Sequence, residues 1–294
     1  LNLQSLKRIN NLPLLCLKFK RATLTGVAFF LLLPSQAHSR KPNVFFTDIR
    51  KKTEQLMTAG QQKDAIEYLK SKRLENLNNF NKTKIEKLLI SIANTFMNQE
   101  THKKFYQAQT LKTNDPEAAI ELLKTVRALE PLNEVVALEL SWIEINNKRC
   151  KDALEILNSV TENNPVSKRG WWLKLSALSC LKDWESFALT EKQLLQNIKT
   201  NKSETKTIRV LRLEESSLSL NDQLLIDELY LQDPKFPLIL YWKGVVSLST
   251  GKTTEDLAAN YLSICQSQKA KVVNSYENFP LQCDKVQVVN EWPK

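Results

Sequence analysis

The residue types that carry most protein chemistry are scarce in this chain and badly spaced for it. Histidine occurs twice, at His38 and His102. A two-histidine metal site, or a nucleophile–histidine pair, would have to be built on one of them alone, and His38 adjoins a stretch that reads as a removable leader. His102 reads as a surface or packing residue. Ser249-Thr250-Gly251-Lys252-Thr253 invites comparison with a phosphate loop. That motif needs a glycine where Val246 stands, and a strand leading into it. A turn glycine between two helices accounts for Gly251 better. No Cys-x-x-Cys pair occurs, so a redox or zinc-ribbon role has no support. Carboxylates are plentiful, but nothing separates an acid–base pair from the solvated faces of helices. The expectation is a non-enzyme, with no catalytic, metal-binding or cofactor-binding residue.

The elements that carry these residues are helices. The chain has 294 residues, 42% hydrophobic and 25% charged, which suits a folded protein and excludes a mostly disordered one. Only 5 glycines occur, too few for a turn-rich sheet protein. The net charge of +10 is uneven. Lys7, Arg8, Lys18, Lys20 and Arg21 stand in the first 37 residues without an acidic residue, leaving 37 basic against 32 acidic residues beyond them. That is mildly basic, and it is no nucleic-acid footprint.

Residues 1–37 read as a secretory signal peptide. The basic stretch Lys18–Arg21 precedes an apolar run from Ala22 to Leu33, Pro34 breaks it, and Ser35-Gln36-Ala37 offers small residues to a signal peptidase. Cleavage is expected after Ala37, placing the protein in the periplasm or outside the cell. The alternative is an uncleaved anchor, for which the run is short against the roughly 20 residues a span needs. Cys16 lies upstream of the run, so it is no lipid-modified cysteine at the cleavage point.

Beyond the leader the chain repeats itself. Ala119-Ile-Glu-Leu-Leu123-Lys-Thr-Val126, closed by Pro131, returns 34 residues later as Ala153-Leu-Glu-Ile-Leu157-Asn-Ser-Val160, closed by Pro165. Small residues at Ala119 and Ala153 let two helices approach closely, the larger ones continue one apolar stripe, and proline turns the chain out of the helix. This pattern resembles the second helix and terminating proline of the tetratricopeptide repeat family, whose repeat is also 34 residues long. The resemblance implies an all-α solenoid of stacked helical hairpins winding as a right-handed superhelix. It is clear over about 101–197. A third unit is degenerate: Trp171 or Trp172 opens its first helix, Asp183-Trp184 makes its turn, the small residue slips to Ala188, and no proline follows. Gly60 with Ala65–Leu69 resembles another turn and second helix. Gly244, Gly251, Ala258 and Leu262 fit a last one if the turn is two residues longer. Between them the pattern predicts a long helix at 82–98, a polar connector at 199–206 and helices at 207–217 and 222–231. The organisation is thus leader 1–37, repeats 38–198, degenerate repeats 199–270 and an extended tail 271–294.

Four cysteines remain after export: Cys150, Cys180, Cys265 and Cys283. An even count in an oxidising compartment suggests two disulfides, and three pairings are possible. In an up-down-up stack Cys150 begins one second helix and Cys180 ends the following first helix at the same edge, which favours Cys150–Cys180. Cys265–Cys283 would then pin the tail, ending Trp292-Pro293, over the open end of the solenoid. The other reading is that these are free cysteines filling the core.

In such solenoids the first helices line a groove, where partners bind. The resemblance implies groove places for Val135, Leu138 and Trp142, for Arg169 and Trp172 in the next unit, and for Lys104 as an added positive charge. The same apolar residues also fit a helix packed between two neighbours, and that reading stays open. The functional expectation is an exported scaffold for a protein or peptide, one with an acidic end included. The alternative is an accessory protein of a cell-wall or polysaccharide enzyme that binds the polymer or the enzyme.

Overall fold

Four of the helical hairpins turn in the same way, and that turn sets the architecture. The computed structural model describes residues 44–75, 77–112, 114–213, 217–268, 283 and 285–292. The leader at 1–37 with its cleavage point, His38, residues 271–282 of the tail, and Pro293 lie outside them. Among the described residues there are fourteen helices and no strand. They are α1 (Val44–Thr58), α2 (Gln62–Leu74), α3 (Asn79–Ala93), α4 (Gln99–Leu111), α5 (Pro116–Leu129), α6 (Glu134–Asn146) and α7 (Cys150–Asn163). Then come α8 (Lys168–Leu181), α9 (Trp184–Asn197), α10 (Lys202–Val210), α11 (Leu220–Gln232), α12 (Pro237–Ser249), α13 (Glu255–Gln268) and α14 (Val286–Asn290).

Between α1 and α2, α6 and α7, α8 and α9, and α12 and α13 the chain passes through one residue in the left-handed region. These are Gly60, Lys148, Lys182 and Gly251, with φ of 75°, 63°, 55° and 67°. The residue after each donates its N–H back to a carbonyl five residues earlier: Gln61 to Leu56, Arg149 to Glu144, Asp183 to Leu178 and Lys252 to Ser247. This is the Schellman closure, which satisfies carbonyls orphaned at the end of the first helix. The second helix begins two residues after the left-handed one in the first three hairpins, and four after it at Gly251. The lengthened last turn read from the sequence is therefore present.

Caps set the other end of each helix. Asp115, Arg149 and Asp183 stand at the N-caps of α5, α7 and α9, and Asn133, Ser167 and Asn201 at those of α6, α8 and α10, each 34 residues from the next. All but Arg149 accept a backbone N–H from the first turn through the side chain. The third unit thus keeps register although its proline is gone. Its small residue is not Ala188, which is exposed; Phe187 occupies the place of Ala119 and Ala153 and is fully buried against Trp171, Trp172 and Leu175. A large ring there fills space that backbone approach fills in the earlier hairpins.

The polar connector expected at 199–206 is mostly helix. Asn201 and Glu204 cap each other's backbone, so α10 starts at Lys202 on local polar bonds, without an apolar stripe to announce it. The long helix expected at 82–98 is α3, displaced toward its N-terminus because Asn78 caps it and Asn94 ends it. The tail is not wholly extended either, since Val286–Asn290 form α14.

The first three helices depart most from simple serial stacking. Ile49, Ile66, Leu69, Ile85 and Leu89 share a core with Val166, and Leu132 and Ile198 pack against it. Those three residues belong to the connectors that follow α7, α5 and α9. Arg73 on α2 reaches the same edge, donating to the Asn197 carbonyl oxygen at 3.1 Å while pairing with Glu86 at 3.1 Å. The N-terminal layer therefore ties together the junctions of three successive repeats.

Both cysteine pairings favoured by the sequence are present: Cys150–Cys180 joins the start of α7 to the end of α8, and Cys265–Cys283 ties α13 to the segment before α14. Val289 and Trp292 then join the core of α11, α12 and α13, where Trp292 stacks on Tyr241 with ring centroids 5.8 Å apart. The end of the stack is closed by the chain's own tail.

Candidate partner-binding face

Helix α6 is buried almost all round, yet it carries Glu134, Glu139 and Glu144 at five-residue spacing, only 7%, 8% and 1% exposed. Carboxylates cannot be buried unpaired, so each is held by a neighbour. Glu144 pairs with Arg149, which also reaches Glu117 at 3.2 Å. Glu134 accepts from Asn164 and Ser167 in the connector to the next unit. Burial pushes its carboxyl above the usual range despite those two bonds.

Glu139 is the carboxylate that spans units. Arg169 on α8 donates to it at 2.7 Å, Lys112 just past the end of α4 lies at 3.3 Å, and Gln109 on α4 donates at 3.2 Å. Burial alone would raise the Glu139 carboxyl, but the charges of Arg169 and Lys112 outweigh it and hold it below the usual carboxylate range. The same Lys112 ammonium lies 5.7 Å from the centre of the Trp142 ring. Three successive first helices thus meet at one polar knot with a half-buried indole beside it.

The residues singled out in the sequence divide around this knot. Trp142 and Arg169 are part of it, half-buried, and Val135 is half-buried against the core between α5 and α6. Leu138 is buried in the core shared with α7 and α8. Trp172, placed at the groove by the family pattern, is 1% exposed and packs among Trp171, Leu175, Phe187 and Ile208, so its place is the core. Ile208 of α10 and Phe187 of α9 belong to the same buried cluster. Lys104 is half-buried on α4 and has no ion pair among the described residues. Sequence reasoning passed over Gln109, Lys112 and Glu139. The signal for Glu139 was available, as an acidic residue between Leu138 and Leu140 in an otherwise apolar helix.

Of the residues first weighed for chemistry, His102 and Gly251 sit in structural roles. His102 lies between the rings of Phe96 and Tyr106, at 4.6 and 4.8 Å between centroids. Gly251 is the left-handed turn residue described above. Among the described residues no group of three metal-ligating side chains comes together, and no helix is long and apolar enough to cross a membrane.

Residues 110–177 match the protein-family model described as Tetratricopeptide repeat. That span runs from the end of α4 through most of α8, so it contains α5 and α7, the two helices whose sequences repeat, and most of the Glu139 knot. No curated protein matches the chain. The chain is similar to tetratricopeptide repeats over this segment, and such repeats point to a protein-interaction scaffold.

Proposed function

We propose that this chain is an exported, non-enzymatic scaffold that holds a protein or peptide segment across α4, α6 and α8, in the periplasm or cell envelope. The observation that carries the reading is Trp142, a half-buried indole fixed by packing on two core clusters and flanked by a polar knot drawn from three repeats. A rigid aromatic beside an arginine is the composition of a binding hot spot. Since Glu139 already engages Lys112 and Arg169, the segment held there contributes an apolar side chain to Trp142 in preference to a carboxylate. Export is supported by the N-terminal sequence and by two cysteine pairs at bonding distance, which persist only in an oxidising compartment.

The test is a photo-crosslinker at position 146, one turn from Trp142 on α6, in the full chain expressed in its own cells, with fractionation of the envelope. One discrete protein adduct in the exported fraction, lost when Lys112 and Arg169 are both changed to Ala, is the expected result. Absence of an adduct, or recovery of the chain from the cytoplasm with free thiols, overturns the proposal. Retention of the protein on isolated wall polymer would turn the reading toward the polysaccharide-enzyme alternative.

A further inference from the structure

Phe105, Phe187 and Phe236 are buried, but the edge where α1 and α3 begin leaves phenyl rings in water: Phe45 is 37% exposed and Phe80 59%. Lys84 joins the two helices there. Its ammonium lies 5.0 Å from the centre of the Phe46 ring on α1 and 4.2 Å from that of Phe80 on α3. Phe80, Lys84 and Lys87 follow one another at helical spacing, so they form one stripe along α3, with Thr83 and the part-exposed Ile90 beside it. The charge at this end of the chain is unbalanced. Lys51, Lys52, Lys82, Lys84 and Lys87 make no ion pair among the described residues. On the same two helices Arg50 takes Glu54 and Arg73 takes Glu86, which leaves Asp48 as the one carboxylate there without a described partner.

We infer that this edge docks on an anionic lipid surface, with Phe45 and Phe80 entering the headgroup layer and Lys84 and Lys87 meeting the phosphates. Exposed rings beside lysines are the composition of an interfacial face. The ring leaves water for the acyl boundary, while the long lysine stem lies along the apolar surface and keeps its ammonium at headgroup level. Lys84 already lies in this way across two rings. The unpaired cations select negative charge. The chain itself brings a membrane near: the apolar run of the leader ends at Leu33 and α1 begins at Val44, so at most about 40 Å of chain separates them. Among the described residues no helix is long and apolar enough to cross a membrane, so the contact is with its surface. The edge shares no residue with the Trp142 face, and either reading can fail without the other.

The test uses the chain as recovered from its own cells, with an environment-sensitive fluorophore on Thr83→Cys at the edge or on Lys252→Cys in the turn between α12 and α13. Vesicles of brominated phosphatidylcholine are titrated in, with or without phosphatidylglycerol. Vesicles containing phosphatidylglycerol should quench the label at position 83 and not the one at position 252. Because the label reads the edge itself, a leader still attached cannot mimic this result. Lys84→Gln with Lys87→Gln should raise the lipid needed for half-maximal quenching roughly thirtyfold, as loss of two lysines does at a charged surface. Phe45→Ser with Phe80→Ser should raise it roughly tenfold or more. Should either pair fail to fold, Lys87→Gln alone, at an exposed and unpaired side chain, must still raise it severalfold. No quenching at position 83, equal quenching without phosphatidylglycerol, or a half-maximal point unmoved in these variants overturns the inference. A photo-crosslinker at position 80 that captures a protein and no lipid assigns the edge to a protein partner, and overturns it equally.

Discussion

Trp292 lies directly over Gly244: a Cβ built on that glycine would sit 2.0 Å from two carbons of the indole ring. The contact joins the last described residue of the tail to the middle of α12, and it makes glycine obligatory at a helix-interior position where glycine is normally unfavourable. Gly244→Ala should therefore destabilise by about 1–3 kcal/mol, as overpacking does. In a Trp292→Ala background the sign should reverse, with alanine gaining about 0.5–1 kcal/mol of helix propensity. Chemical denaturation of the two single variants and the double variant checks this. Additive costs would show that tail and helix do not touch.

The same tail is held by Cys265–Cys283, a loop of 18 residues, while Cys150–Cys180 closes one of 30. Loop entropy assigns each about 3–4 kcal/mol. Replacing Cys265 and Cys283 by Ala should also blunt the cost of Gly244→Ala, since a freed tail can move away from the added methyl. Replacing Cys150 and Cys180 should leave that cost intact. Peptide mapping without reductant establishes the pairing first.

Lys182 holds a left-handed turn that Gly60 and Gly251 hold elsewhere. Lys182→Gly should stabilise by about 0.5–1 kcal/mol, the relief of an L-residue's strain less the entropy glycine loses. Lys182→Val should destabilise, because a β-branched residue tolerates that region worst. Melting curves of the two variants should move in opposite directions.

Glu139 gives the knot a pH signature. Its folded carboxyl lies below the usual range, so its stabilisation is complete above the unfolded carboxylate pKa of about 4.3 and is lost as pH falls through the lower folded value. Glu139→Gln should cost about 1–3 kcal/mol at neutral pH by leaving Arg169 and Lys112 without their counter-charge. The gap between variant and parent should close on acidification. A gap constant from pH 7 to pH 3 would mean the carboxylate contributes by shape alone.

Trp142 and Trp172 should behave differently. Trp172→Ala removes a fully buried indole and should cost about 3–5 kcal/mol. Trp142→Ala, half-buried, should cost roughly half of that and abolish crosslinked capture at neighbouring positions. Equal destabilisation with no effect on capture would make both purely core residues.

How much of this was legible varies residue by residue. The 34-residue recurrence of Ala119, Leu123, Val126 and Pro131 fixed the period, because helix faces that must meet impose their spacing on the sequence. The cysteine pairing followed from the same period. Gly60 and Gly251 announced two turns. Lys148 and Lys182 make the same turn without glycine, and their backbone bonds, not their residue types, hold them there.

The sequence alone thus determined the helical class, the register of the central hairpins and which cysteines could meet, since each depends on local spacing along a helix of known pitch. Tertiary structure alone decided that Trp172 would join a buried cluster with Phe187 and Ile208, that three repeats would share Glu139, that the N-terminal helices would cross three connectors, and that Trp292 would need Gly244. Those are contacts between residues far apart in the chain. Their partners are chosen by packing and by the cost of an unpaired buried charge, and no short-range pattern records such a choice.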